Sequence, residues 1–105
     1  MKVLVDFQGL AIRLTDERLA HILEHPEMAG MEDAIEETLV SPESVVQSGT
    51  DSQSQLYYRF YDSTLVGGKH LCVVVKVVRD GDAFVVTAYL THTIKRGTRL
   101  WPKNN

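Results

Sequence analysis

The chain has little that would staple, interrupt or anchor a fold. A single cysteine, Cys72, stands among 105 residues; it rules out an internal disulfide and fits a reducing compartment. No repeat, low-complexity tract or Pro/Gly-rich linker divides the sequence, so one domain spanning residues 1–105 is expected. No apolar run approaches the roughly 20 residues that a membrane-crossing helix requires. The longest, residues 72–78, is interrupted by Lys76. The opening Met1-Lys2-Val3 leads into a strand pattern rather than a signal peptide, and a soluble, cytoplasmic protein without membrane contact is expected. Positive charge is also scarce overall: the formal net charge is −3, which argues against indiscriminate nucleic-acid binding. That total hides an asymmetry. Residues 1–52 carry three Lys/Arg against eleven Asp/Glu, whereas residues 53–105 carry eight against three. The second half is therefore basic.

What is present is dominated by residues 69–91, KHLCVVVKVVRDGDAFVVTAYLT. Two runs rich in β-branched and aromatic residues flank Asp80-Gly81, a dipeptide suited to a two-residue hairpin turn. With that turn as loop, Arg79 faces Asp82, Lys76 faces Val85, Val74 faces Thr87, Cys72 faces Tyr89 and His70 faces Thr91. One face then carries Leu71, Val73, Val75 and Val77 with Phe84, Val86, Ala88 and Leu90. The other mixes Cys72, Val74 and Val78 with Lys76, Thr87, Tyr89 and Thr91. A lysine within a valine run is costly to bury unpaired, so the mixed face is expected to be open and functional.

Before this hairpin, residues 2–15 read as two short strands with Gly9 near their turn. Thr15 is a candidate N-cap, followed by Asp16 and Glu17 in the first turn and by a helix ending before Pro26. A second helix over residues 32–40 turns Met31, Ile35 and Leu39 inward and an acidic face outward, until Ser41-Pro42 stops it. Residues 45–47 form a short strand and residues 48–54 a turn-rich loop. In the strand over residues 55–61, Leu56, Tyr58 and Phe60 are assigned to the core. Tyr57, Arg59 and Tyr61 then join Lys76 on the open face. The expected class is α+β, with two N-terminal helices packed on an antiparallel β-sheet of about four to six strands. Hairpin and helices occupy residues 1–42, the sheet residues 43–101, and a frayed tail residues 102–105.

Cleavage of RNA at a ribose 2′-hydroxyl needs a base, an acid and cations to stabilise charge on phosphorus, without a metal. His21 and His25 supply imidazoles, while Arg59 and Lys76 supply cations. Thr87 and Tyr89 supply hydroxyls for the phosphate or base. Tyr57, Tyr61, Thr91, Lys95, Arg96 and Arg99 complete an RNA-binding surface of stacking, hydrogen-bonding and cationic groups. His21-Ile-Leu-Glu24-His25 also matches the H-x-x-E-H pattern of a zinc helix. Pro26 follows at once and no third ligand is evident, so no metal or cofactor is expected.

These residues together resemble a known family. Thr15-Asp16-Glu17-Arg18 with His21, His25-Pro26-Glu27-Met28, Glu37-Thr38-Leu39 with Pro42, Tyr57-Tyr58-Arg59, residues 71–76 (LCVVVK), and Val86-Thr87-Ala88-Tyr89 with Lys95 and Trp101 are similar to the phage-type branch of the Barnase, EndoU, colicin and RelE-like nucleases, the BECR fold. The likeness covers residues 13–101. It implies helices on one side of an antiparallel sheet and a metal-independent endoribonuclease site on the other side or at the sheet's edge. It further implies a toxin acting on tRNA or mRNA, held by an antitoxin or immunity protein. By position, it places the helix histidine at His21, with His25 beside it, the strand cations at Arg59 and Lys76, and the late hydroxyls at Thr87, Tyr89 and Thr91. Two other readings remain: a non-catalytic RNA- or protein-binding module using the same sheet face, and a regulatory protein docking a basic partner on its acidic helix.

Overall fold

The computed structural model describes residues 1–79 and 81–103. The chain opens with a hairpin of β1 (Lys2–Val5) and β2 (Ala11–Leu14). Helix α1 (Asp16–Leu23) starts where the Thr15 hydroxyl accepts the Arg18 N–H, satisfying one of the unpaired donors of the first turn. A single 3₁₀ turn (Pro26–Met28) connects it to α2 (Glu32–Val40). The remaining strands are β3 (Ser44–Ser48), β4 (Ser54–Thr64), β5 (Gly67–Arg79), β6 (Asp82–Thr91) and β7 (Gly97–Trp101).

The seven strands among the described residues join one sheet in the order β1-β2-β6-β5-β4-β3-β7. This corrects the expected four to six antiparallel strands. The first hairpin belongs to the sheet, entering through a parallel bridge between Arg13 and Phe84, so the sheet is mixed. Residues 97–101 add a strand against β3. Both helices pack on one face. There Ile22, Met28, Ile35 and Leu39 meet Leu71, Val73 and Val75 in a continuous buried core, as the inward stripes of the helices require.

The sheet curls around this core. Asp6 and Phe7, at the tip of the first hairpin, reach across to β4 and β7. The Phe7 N–H donates to the Leu39 carbonyl at 2.9 Å, and the Phe7 and Trp101 rings lie 5.0 Å apart. Asp6, buried, accepts the backbone N–H groups of Gln8 and Leu10 on one carboxylate oxygen. The Tyr57 hydroxyl donates to the other at 2.7 Å.

The β5–β6 register departs from the expected one over a short stretch. Arg79 faces Asp82, Val74 faces Thr87, Cys72 faces Tyr89 and His70 faces Thr91, but Lys76 faces Phe84 rather than Val85. Irregularities between Val77 and Arg79 and between Val74 and Val75 displace the intervening pairs by one residue. A one-residue shift exchanges faces. Ala83 and Val85 therefore enter the core, while Phe84, opposite Lys76, lies on the other face beneath the Arg13 guanidinium. Of the turn itself, Gly81 has φ +81°, and Asp80 lies outside the described residues.

Candidate functional site

Strand alternation places Ser54, Leu56 and Tyr58 of β4, Cys72, Val74 and Lys76 of β5, and Phe84, Thr87 and Tyr89 of β6 on the face away from the helices. Here lies a second, smaller buried cluster of Val46, Leu56, Tyr58 and Cys72, flanked by Val74 and Tyr89. It is buried because the chain between β6 and β7 crosses over it. Residues 92–96 leave one end of β6 and arrive at the far side of β3. On the way the Lys95 N–H donates to the Tyr58 hydroxyl at 3.0 Å, and Lys95 Nζ lies 5.9 Å from the centre of the Tyr89 ring.

The crossing segment and the loop after β3 leave a cleft of about 390 Å³ between them, within the range of small-ligand sites. Leu56, Val74, Thr87 and Tyr89 line its floor. Ser48, Gly49, Thr50, Asp51 and Ser54 form one wall, and Lys95 and Arg96 form another. The loop wall is pinned by hydrogen bonds to its own residues. The Ser48 hydroxyl accepts the N–H groups of Thr50 and Asp51. Asp51 accepts the Gln53 N–H at 3.0 Å and the Ser54 hydroxyl at 2.9 Å, and pairs with Lys76 Nζ at 3.4 Å. The Gln53 N–H, then Ser54, then Lys76 hold its carboxyl below the usual range. Among the described residues, Lys95 and Arg96 make no ion pair. Two uncompensated cations thus face an apolar and hydroxyl-lined floor. Arg99, opposite Val46 on β7, extends this basic strip along the sheet.

The catalytic set expected from the sequence is divided by the sheet. Lys76, Thr87 and Tyr89 share the open face, whereas His21 and His25 belong to the helical layer behind it. The His21 Nδ1 lies 3.4 Å from Glu24 and the His25 Nδ1 3.9 Å from Glu27, with both side chains largely exposed. A depression of about 400 Å³ beside His21 is lined by four residues of α1 and its C-cap, Glu24, so among the described residues no second element brings groups to it. Arg59 is also on the helical side. It donates to the Ser41 carbonyl at 2.8 Å and lies 3.6 Å from Glu37. Tyr57 is buried against Asp6, and the Tyr61 hydroxyl donates to Glu37 at 2.6 Å. None of the three joins the open face. Both faces of β4 are buried around Tyr57 and Tyr58, so alternation of apolar residues did not distinguish inward from outward. Thr91 hydrogen-bonds locally to Thr93, beyond the cleft. Lys95 and Arg96 do line it. The sequence reading missed Tyr58 and residues 48–54; the turn residues of that loop were its only signal. Among the described residues no group of three or more His, Cys, Asp or Glu side chains is arranged to hold a metal.

The buried phenols on both faces of the sheet give the fold a measurable signature. Burial pushes Tyr58 up to about 12. Burial and then the Glu37 carboxylate push Tyr61 to about 12. Burial also raises Tyr57, with Asp6 adding to it, and Tyr89, with the Cys72 thiol adding to it. Cys72 is raised by burial as well, partly offset by the Tyr89 and Tyr58 hydroxyls. An ultraviolet titration of the native protein is therefore expected to show none of the four tyrosines ionising near the ordinary value of 10.0. In denaturant all four return to it. Because the folded values lie above the unfolded one, the contribution of Tyr58 and Tyr61 to stability is complete below about pH 10 and is lost as pH rises through about 12, while that of Tyr57 and Tyr89, raised further, persists to higher pH. A native phenol titrating near pH 10 would contradict this packing.

No family model, curated protein or solved structure matches the chain. No helix among the described residues is long and apolar enough to cross a membrane.

Proposed function

We propose that the protein is a non-catalytic module that binds single-stranded RNA in the cleft on its open sheet face. One observation carries this reading: Lys95 and Arg96, unpaired among the described residues, stand over a hydroxyl- and tyrosine-lined cleft, while both candidate proton-transfer imidazoles lie in the other layer of the domain. Cations attract the phosphates, and Tyr89 with Thr87 contacts sugar or base. The charge distribution supports the same face. Eight of the fourteen Asp/Glu fall within residues 16–40, whereas residues 92–103 contain four Lys/Arg and no acid. RNA therefore approaches with its phosphates toward the cleft and away from the helices. The resemblance of the motifs to RNA-directed nucleases favours RNA as the ligand, and the free thiol agrees with a cytoplasmic setting.

The test is titration of the protein into single-stranded RNA over a range of salt, with the RNA inspected afterwards by gel. We expect salt-dependent binding, intact RNA, and a log–log salt slope reduced by about 0.7 for each of Lys95→Ala and Arg96→Ala. His21→Ala leaves binding unchanged. RNA cleavage that disappears in His21→Ala and Lys76→Ala would instead establish the nuclease reading.

A further inference from the structure

β1 and β7 are the outermost strands of the sheet, and their free sides are guarded differently. An edge strand offers unpaired N–H and C=O groups to any other extended chain, and proteins usually blunt it with bulges, prolines or outward charges. β7 carries such devices. Its register against β3 is broken between Val45 and Val46, Arg99 lies within it, and Pro102 follows it. The Phe7 ring also lies beside Trp101 at its end. β1 has none of them. It pairs with β2 in unbroken register from Lys2 opposite Leu14 to Val5 opposite Ala11. Its one charged side chain, Lys2, is turned to the helical side, where it donates to Glu32 at 2.8 Å. The direction of its free groups follows from the ladder. The Asp6 N–H donates to the Leu10 carbonyl at 3.0 Å, and bonded and non-bonded pairs alternate along an antiparallel ladder. Leu4 and Lys2 therefore bond to β2, while the N–H and C=O groups of Val3 and Val5 point away from it. Among the described residues no backbone group outside the ladder bonds to them. The two valine side chains, on the face opposite buried Leu4, are 57% and 49% exposed.

The charge beside this edge selects what can add to it. Glu32, then Glu36 and Asp33, act on the Lys2 ammonium and raise its pKa. Asp33 and Glu36 are exposed, and the exposed Asp16 lies 3.0 Å from the N-terminal ammonium. Four carboxylates thus meet two cations there, and the helical side of β1 keeps an excess of negative charge. Antiparallel pairing of two β1 strands would set two such acidic sides against each other. In an incoming strand, residues opposite Val3 and Val5 fall on one face and their neighbours on the other, toward α2. Apolar side chains suit the first position and Lys or Arg the second. We infer that the free side of β1 accepts an extended segment of a partner protein as an added strand, the segment alternating apolar with basic residues. This surface shares no residue with the cleft and does not rest on the RNA-binding reading.

Titration of the full chain with a capped nine-residue peptide of alternating lysine and valine, followed by amide NMR, tests it. A peptide of five lysines followed by four valines and an alternating glutamate–valine peptide are the controls. The alternating lysine peptide is expected to bind about tenfold more tightly than the block peptide, and the glutamate peptide not to bind. Binding slows hydrogen exchange at the Val3 and Val5 amides. Val3→Pro removes one outward N–H and spares the β1–β2 ladder. Checked for native circular dichroism, it lowers affinity about tenfold. Should that variant unfold, the lysine peptide N-methylated at its valines makes the same test on the unaltered protein, with the same loss expected. Glu36→Gln weakens binding about threefold and reduces its dependence on salt. Equal affinity for the alternating and block peptides would mean that charge alone draws them, and overturns strand addition. Absence of binding overturns it as well. So does a dimer seen in sedimentation that Val3→Pro abolishes, because the edge is then taken by a second copy.

Discussion

Replacing Gly97 by alanine is expected to lower the unfolding free energy by about 3 kcal/mol, the upper part of the usual overpacking range, and to weaken RNA binding in the same variant. Gly97 opens β7 opposite Ser48. A Cβ at this position would press into the Gln47 carbonyl oxygen and lie 2.7 Å from Val46 Cγ1. Backbone cannot yield as a flexible side chain does, so the start of β7 must move away from β3. The crossing segment that ends there carries Lys95 and Arg96, and it also roofs Val46, Leu56, Tyr58 and Cys72. Stability and site geometry are therefore lost together. Urea unfolding and RNA titration of Gly97→Ala check the two effects. A variant with unchanged midpoint and affinity would show that β7 does not hold the crossing segment.

The second large effect is expected at Asp6. Asp6→Ala removes the acceptor for two turn amides and for the Tyr57 hydroxyl, at a cost of about 4 kcal/mol. Tyr57→Phe leaves one buried carboxylate oxygen without its phenol and costs about 2 kcal/mol. Once Asp6 is gone the phenol has lost its main partner, so the double variant is less destabilised than the two single costs added together. The coupling should be about 1–2 kcal/mol. Equilibrium unfolding of the four proteins in this cycle measures it. Additive costs would mean that the first hairpin is not fastened to β4 through this bond. The contact matters to the architecture because it links a terminal hairpin to a strand that is not its neighbour in the sheet.

The helices were legible for local reasons: a capping threonine, acids in the first turn and a proline beyond the end act within a few residues of chain. The Asp80-Gly81 hairpin was legible because a tight turn dictates pairing beside it, and four of the five expected pairs are present. The fifth failed where two irregularities move Phe84 out of the core. Bulges of this kind are selected by what packs above each face, and Val85 and Val86 are equally good strand residues. The face of β4 was misread for a related reason. Tyr57 and Tyr58 are both buried, one against Asp6 from the first hairpin and the other beneath residues 92–96, and each covering segment is distant in sequence.

The sequence by itself determined the class of elements, the central hairpin and the segregation of acid to the first half and base to the second, since each depends on neighbours along the chain. Only the tertiary structure decided how many strands share the sheet, on which side of it each charged group falls, and that residues 92–96 fold over the open face. Those outcomes come from long-range closure. A parallel bridge from β2 to β6, a hairpin tip fastened to β4 and a last strand seated on β3 join segments that carry no local signal of their meeting. That closure separates Lys76 from the histidines and assembles the cleft around Lys95 and Arg96.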